Sequence, residues 1–288
     1  MTRCLKLLLC GALLACSDTV APVDQAPCNG HAELCSRRFD QVVFAGTHNA
    51  HSAQVDGYPV LNANQVSGVG VQLADGVRCL LMDVYDLNGE SVFCHGPCSL
   101  ASTSHVGGLE TIKAFLDDNP REVVTIIYED HLDSARIAAD FAAVGLDLYV
   151  YAHTPNAPWP TLGAMIDNNT RLVVTAESAG PPPAWFLHVW DEAWDTPYTF
   201  SGADEFSCDL NRGSRNNALF LVNHWLGDSL GLPTEDGAMT VNTYDVLYGR
   251  AKGCWDETGD VPNFVAVDFY EHGDLLEVVD ALNGFGAR

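Results

Sequence analysis

The chain has 288 residues, 47% of them hydrophobic, which is enough for one large buried core or two small ones and excludes disorder over most of its length. Acidic residues outnumber basic ones 38 to 14, for a formal charge of −24. That balance excludes nucleic acid, whose phosphates need clustered Lys and Arg. It also repels an anionic membrane surface unless a cation bridges the two.

The first segment reads as targeting rather than fold. Arg3 and Lys6 precede an apolar run from Leu7 to Leu14, followed by Ala15-Cys16. The run is too short to span a bilayer, which takes ~20 apolar residues, and no later run reaches that length. Leu13-Leu14-Ala15-Cys16 resembles a bacterial lipobox, with residues 1–15 removed and Cys16 lipidated; the alternative is a plain secretory signal cut nearby. The expectation is an exported protein held at a membrane surface by an N-terminal lipid. Residues 16–38 read as a polar leader, and residues 39–288 as one catalytic unit.

Beyond the leader, strand-like and helix-like segments alternate. The strand candidates are Val42–Gly46, Cys79–Tyr85, Ser91–His95, Val123–Tyr128, Leu172–Ala176, Leu219–Asn223 and Phe264–Phe269, apolar on both faces as buried parallel strands are. Helical spacing groups Leu109, Ile112, Phe115 and Leu116, then Ile137, Phe141 and Val144 before Gly145, and finally Leu275, Val278, Val279 and Leu282 before Asn283-Gly284. Gly180-Pro181-Pro182-Pro183 is a stiff turn inside this pattern. The alternation predicts an α/β fold, a single (β/α) barrel, with a doubly wound open sheet as the second choice. No dinucleotide fingerprint, P-loop or Gly-x-Ser-x-Gly elbow is present.

Seven cysteines follow Cys16. Export permits disulfides, and sequence proximity pairs Cys28 with Cys35 and Cys94 with Cys98. Cys208 and Cys254 form a third, longer bridge, leaving Cys79 as a buried thiol. Zinc at Cys94-His95-x-x-Cys98 is disfavoured because no second Cys/His pair has matching spacing.

The functional signal is what stands at the strand ends: Thr47-His48-Asn49, Asp83, His95, Glu129-Asp130-His131, Glu177, Asn223-His224 and Asp268. Parallel barrel strands bring their carboxyl ends to one face, where barrel enzymes keep their sites. Singly, each is also a normal turn or cap residue, and Asp133, Asn223 and His131 suit that role. Jointly, two histidines, an amide and several carboxylates suit phosphodiester chemistry. One imidazole takes a proton from an attacking hydroxyl, the other gives one to a departing alkoxide, and carboxylates orient the rings or hold a divalent cation.

At these residues the chain resembles the phosphatidylinositol-specific phospholipase C X-domain family. Thr47-His48-Asn49-Ala50-His51-Ser52 is similar to its first histidine motif, and the stretch Gly76-Val77-Arg78-Cys79-Leu80-Leu81-Met82-Asp83-Val84-Tyr85-Asp86 to its second motif. Cys94-His95-Gly96 is similar to its second histidine motif, with weaker likenesses at Ile127–His131 and Val267–Tyr270. The resemblance implies a distorted TIM barrel and a lipid substrate of the phosphoinositide type, cleaved to diacylglycerol and a cyclic inositol phosphate. It implies His48 as general base, His95 as general acid and Asp268 as the group that orients His48. It further implies Ca²⁺ held by Asn49, Asp83 and Glu129, in a site weakened because Leu81 stands where a further Glu is expected. The arginine of metal-free members is replaced by Tyr85. Two other readings remain: a glycerophosphodiesterase or sphingomyelinase-D-like barrel, and a non-catalytic lipid- or sugar-binding lipoprotein on the same barrel.

Overall fold

The computed structural model describes residues 26–228 and 230–286; the expected signal segment and Cys16 lie outside them. In chain order the elements are β1 (Phe44–Thr47), α1 (Val69–Asp75), β2 (Cys79–Leu87), β3 (Glu90–Phe93), β4 (Thr103–Ser104), α2 (His105–Asp118) and β5 (Val124–His131). Then come α3 (Ser134–Val144), α4 (Leu162–Asp167), β6 (Leu172–Ala176), β7 (Phe186–His188), α5 (Val189–Glu192), β8 (Ala193–Asp195) and β9 (Leu219–His224). α6 (Glu235–Val241), α7 (Tyr244–Thr258), β10 (Phe264–Val267) and α8 (Leu275–Leu282) complete the chain.

Eight strands pair in parallel in the order β7-β6-β5-β2-β1-β10-β9-β8, a TIM-type ring with one open seam. The seam falls between β7 and β8 for a covalent reason. Only the four residues of α5 join them, whereas a crossover between neighbouring parallel strands takes a dozen or more. The ring closes instead through β1 and β10, with Thr47 opposite Val267. The expected strand Ser91–His95 is corrected here. β3 ends at Phe93 and pairs antiparallel with β2, so it hangs outside the ring as a hairpin, and His95 sits on a loop.

Strand alternation sorts the core into two layers. Phe44, Cys79, Ile127, Val173, Leu221, Phe264 and Ala266 fill the barrel. Ala45, Leu80, Met82, Ile126, Val174, Val265 and Val267 face outward against Leu109, Ile112, Ile137, Phe141, Leu275 and Val278 of the helices. The expected helical faces are therefore the buried ones. Gly145 ends α3 at φ +74°, a conformation that glycine adopts without strain. Asp133 is the N-cap of α3, accepting from the Arg136 backbone N–H.

The stretch read as a leader enters the fold from Cys28 onward. Cys28, Leu34 and Cys35 are buried in the same cluster as Phe39, Val42 and Trp159, which plugs the lower end of the barrel. Disulfides join Cys28–Cys35, Cys94–Cys98 and Cys208–Cys254, and Cys79 is a buried free thiol. Among the described residues no helix is long and apolar enough to cross a membrane.

Two of the buried histidines, His51 and His224, are held far from their ordinary pKa. His224 donates from Nε2 to the Val241 carbonyl at 2.9 Å and turns Nδ1 toward Arg250 at 3.4 Å. Burial lowers both His224 and His51 from 6.5 to about 3. The unfolded chain therefore binds protons below pH ~6.5 that the folded chain refuses until about 3, so stability falls across that window as pH drops. Urea midpoints at pH 7 and pH 5 are expected to differ accordingly. The difference should shrink in His224→Gln, which has no ring to titrate.

Candidate active site

The upper mouth of the barrel holds a cavity of about 300 Å³ whose wall includes His48, Leu81, Asp83, Glu129, Glu177 and Arg212. Its position follows from register. Asp83 on β2 is opposite Glu129 on β5, and Leu81 opposite Ile127. The alternation of β2 therefore points Leu81 and Asp83 to one side, so an apolar layer underlies the acids. Two residues further on, Tyr85 is opposite His131, and their rings stack at 4.1 Å.

His48 follows the last residue of β1, and Asp268 the last residue of β10. Because those strands are neighbours, Asp268 Oδ1 lies 2.9 Å from His48 Nδ1 across 220 residues of sequence. The carboxylate is buried and the ring one-quarter exposed. Asn64 Nδ2 donates to the same carboxylate oxygen at 2.9 Å, and Trp225 stacks on the ring at 3.9 Å with planes 3° apart. The dyad fixes which nitrogen carries the proton. Nδ1–H donates to Asp268, and Nε2 is the nitrogen that can exchange a proton with a ligand.

His95 is held differently. Its Nδ1 meets the Asn62 backbone carbonyl at 2.9 Å, and Asn62 Nδ2 donates to the His95 carbonyl at 2.6 Å. It lies outside the wall of the cavity just described, yet close enough that the charge of His48 acts on it. Burial first, then His48, lowers the His95 pKa, so its charged form gives up a proton readily.

Asn49 is buried and sits at φ +47°, a left-handed position that Asn tolerates, and its side chain bridges His48 and Asp83. With the amide nitrogen toward Asp83, it donates at 2.8 and 3.2 Å while the oxygen accepts from His48 Nε2 at 3.2 Å. With the amide reversed, its nitrogen meets His48 Nε2 at 3.2 Å and its oxygen confronts the Asp83 carboxylate. The second orientation gathers hard oxygens with no hydrogen between them. Burial, then Glu129 and Glu177, push the Asp83 carboxyl well above its ordinary range. A proton or a cation relieves such a group, and an amide oxygen with carboxylates is a donor set that suits Ca²⁺. Among the described residues no three His, Cys, Asp or Glu side chains converge as a metal cage.

The remaining acids and the arginine were legible only as strand ends or loop residues. Glu177 follows β6; burial is the main reason its carboxyl rises to about 7, with Arg212 opposing the shift. Arg212, from the loop between β8 and β9, donates to Glu177 at 2.6 Å and to the fully buried Asp195 at 2.6 and 3.0 Å. Its guanidinium lies over Trp190 and Tyr198. Asn223 borders the cavity and donates to Asp195 at 3.0 Å. His224 and Asp130 do not join the site: His224 is buried toward Val241, and Asp130 accepts from the backbone of Ser178 and Ala179. Arg78 lies at the opposite end of β2, paired with Glu122.

Barrel and site together define a phosphodiesterase-type architecture, and the comparisons place the chain within it. A family profile described as PI-PLC X 1 matches residues 34–283. A PI-PLC X domain-containing protein 1 of Arthroderma benhamiae is 32% identical, covering 95% of this chain and 96% of that one. A PI-PLC X domain-containing protein of Arabidopsis thaliana is 30% identical over 85% of this chain, which spans 62% of that relative's length. Another Arthroderma relative, 27% identical over 91% of this chain and 65% of its own length, is called an uncharacterized secreted protein. A histidine-to-tyrosine mutant of the phosphatidylinositol-specific phospholipase C from Staphylococcus aureus has the same fold, at TM-score 0.60 and 13% identity over 88% of this chain and 94% of that one. The chain belongs to the PI-PLC X domain family.

Removing the Arg212 side chain leaves the buried Asp195 its Asn223 and backbone donors and takes away its paired cation. Arg212→Met is expected to lower unfolding free energy by about 3 kcal/mol, the usual cost of stranding a buried charge, as read by urea denaturation. Glu177→Gln, which keeps the Arg212–Asp195 pair, is expected to cost much less.

Proposed function

We propose that this protein is a phosphodiesterase of the phosphatidylinositol-specific phospholipase C type. It cleaves a phosphoinositide-like lipid to diacylglycerol and a 1,2-cyclic inositol phosphate. The observation that carries this reading is the His48–Asp268 dyad at the mouth of a polar cavity, with a second histidine, its pKa lowered by burial, near it. Glu177, Arg212, Asn223 and Tyr198 offer donors and acceptors suited to a polyol, and the Trp225 face covers the base.

In this mechanism Nε2 of His48 takes the proton of the inositol 2-hydroxyl, whose oxygen forms a bond to phosphorus. The bond from phosphorus to the glycerol oxygen breaks, and that oxygen receives the proton from Nε2 of His95. Asp268 holds the base in its tautomer and faces the positive charge the ring acquires. The histidines end in exchanged protonation states, which solvent resets.

Exposed Leu61 and Leu100, on the two loops around His95, and Leu230, beyond Trp225, are 75%, 63% and 80% exposed and support a lipid as substrate. Export, with an N-terminal lipid at Cys16, is part of the proposal; the secreted relative supports the export.

The non-bridging oxygens need a cation opposite them in a dry site, an electrostatic effect often worth several kcal/mol. Asn49, Asp83 and Glu129 would hold Ca²⁺ there, which when bound supplies that charge. Leu81 leaves the site short of one carboxylate.

His48→Ala and His95→Ala are expected to lower kcat by ~10²–10⁴-fold with circular dichroism unchanged. Asp268→Asn should lose less than His48→Ala, since it acts through the ring; equal activity of His48→Ala and wild type would end the base assignment. Activity should vanish in chelator and return at ~10⁻⁴–10⁻³ M Ca²⁺. Asp83→Asn and Glu129→Gln should raise the calcium required. Full activity after exhaustive chelation would transfer the counter-charge to Arg212.

A further inference from the structure

No strand of the barrel carries His95. Among the described residues β3 ends at Phe93 and pairs with β2 and β4 alone, so the ladder that aims His48 does nothing for the second histidine. Its place is set instead by loop contacts. The Cys94–Cys98 disulfide closes a ring around His95, Gly96 and Pro97, with Cys94 fully buried as the anchor. Gly96 turns at φ +68°, which lets so short a loop close. From the other side, Asn62 grips both polar ends of the residue: its carbonyl meets the ring at 2.9 Å and its amide donates to the backbone at 2.6 Å. Asn62 is itself fixed. Ser52 Oγ donates to its carbonyl at 2.9 Å, and its N–H donates to Pro59 O at 2.7 Å. Tyr58 ties the two loops together once more, donating to the Phe93 carbonyl at 2.9 Å.

We infer that Asn62 and the Cys94–Cys98 disulfide are positioning residues for the general acid, holding His95 with its proton fixed on Nδ1 and Nε2 as the donating atom. This inference rests on the reading of His95 as the acid. A backbone carbonyl only accepts, so Nδ1 keeps its proton in both the neutral and the charged ring. The proton that leaves is the one on Nε2, delivered to the oxygen whose bond to phosphorus breaks. The carbonyl also differs from the Asp268 carboxylate in carrying no charge, so the clamp orients His95 while favouring its imidazolium less than a carboxylate does. Base and acid are thus held by chemically different second groups.

The test compares two inositol phosphodiesters, one with an alkyl leaving group and one with a 4-nitrophenyl group, whose phenolate departs without a proton. A misplaced acid slows only the first, whereas a damaged barrel slows both. In Asn62→Ala, which removes the side-chain bond to the His95 carbonyl and leaves the backbone carbonyl on Nδ1, and in Cys94→Ala/Cys98→Ala, which opens the loop, kcat for the alkyl substrate is expected to fall by about 10²-fold, the scale of a 1 Å misplacement, while KM and turnover of the nitrophenyl substrate change little. His95→Ala should show the same selectivity more strongly, and Cys28→Ala/Cys35→Ala should keep the wild-type ratio of the two rates. If the disulfide variant does not fold, Cys98→Ser and Asn62→Ala carry the same comparison. An unchanged ratio in the Asn62 and disulfide variants, with His95→Ala selective, overturns this inference and leaves the proposed function standing. Equal loss on both substrates in His95→Ala overturns the acid assignment and this inference with it.

Discussion

Closure of the parallel ring through β1 and β10 is the constraint on which the site depends. Four register pairs, Phe44 to Thr47 against Phe264 to Val267, bring the residue after each strand together. The result is a hydrogen bond of 2.9 Å between His48 and Asp268 that no local sequence feature could make. The same principle sets Asp83 beside Glu129 on β2 and β5. Since the seam of the barrel lies between β7 and β8, the strands that carry the dyad and the acids stand side by side in the unbroken part of the ring.

Electrostatics then gives those neighbours their character. Twenty-four net negative charges make crowded carboxylates costly, and the mouth of the barrel crowds Asp83, Glu129 and Glu177. Burial dominates the rise of the Asp83 and Glu177 carboxyls, with neighbouring acids adding to it. Arg212 offsets part of that cost by bridging Glu177 and Asp195. Asn49 links this acidic wall to the His48–Asp268 dyad, because its amide reaches Asp83 on one side and His48 Nε2 on the other. Whatever sits on Asp83, a proton or a cation, therefore bears on which amide atom faces His48.

Much of this was legible in the sequence wherever burial on both faces leaves an uninterrupted apolar run. β2, β5, β6, β9 and β10 are such runs, and the polar residue ending each marks the rim. β7 and β8 were not legible, because three residues carry no periodicity. α7 escaped as well: its buried face is Leu247, Ala251 and Cys254, too small and too sparse to stand out. Strand-end position put His48, Asp83 and Glu129 at the rim, and all three line the cavity. His95 was read as the end of a barrel strand and lies instead on a loop after β3, since an antiparallel hairpin and a parallel strand share one alternation. Asn62, Asn64, Arg212 and Trp225 lie in loops, where partners are chosen by tertiary folding. An aromatic directly after the last residue of β9, in Asn223-His224-Trp225, was the available hint for Trp225.

The proposed chemistry is most directly tested by the identity of the first product. Phosphorus NMR of wild-type protein acting on a phosphatidylinositol dispersion with Ca²⁺ resolves a five-membered cyclic phosphodiester from a monoester. Attack by the neighbouring 2-hydroxyl, with His48 as base, predicts that inositol 1,2-cyclic phosphate appears first and that any monoester accumulates only after it. A monoester formed from the outset, with no cyclic precursor, would mean that water attacks phosphorus directly and would contradict the account.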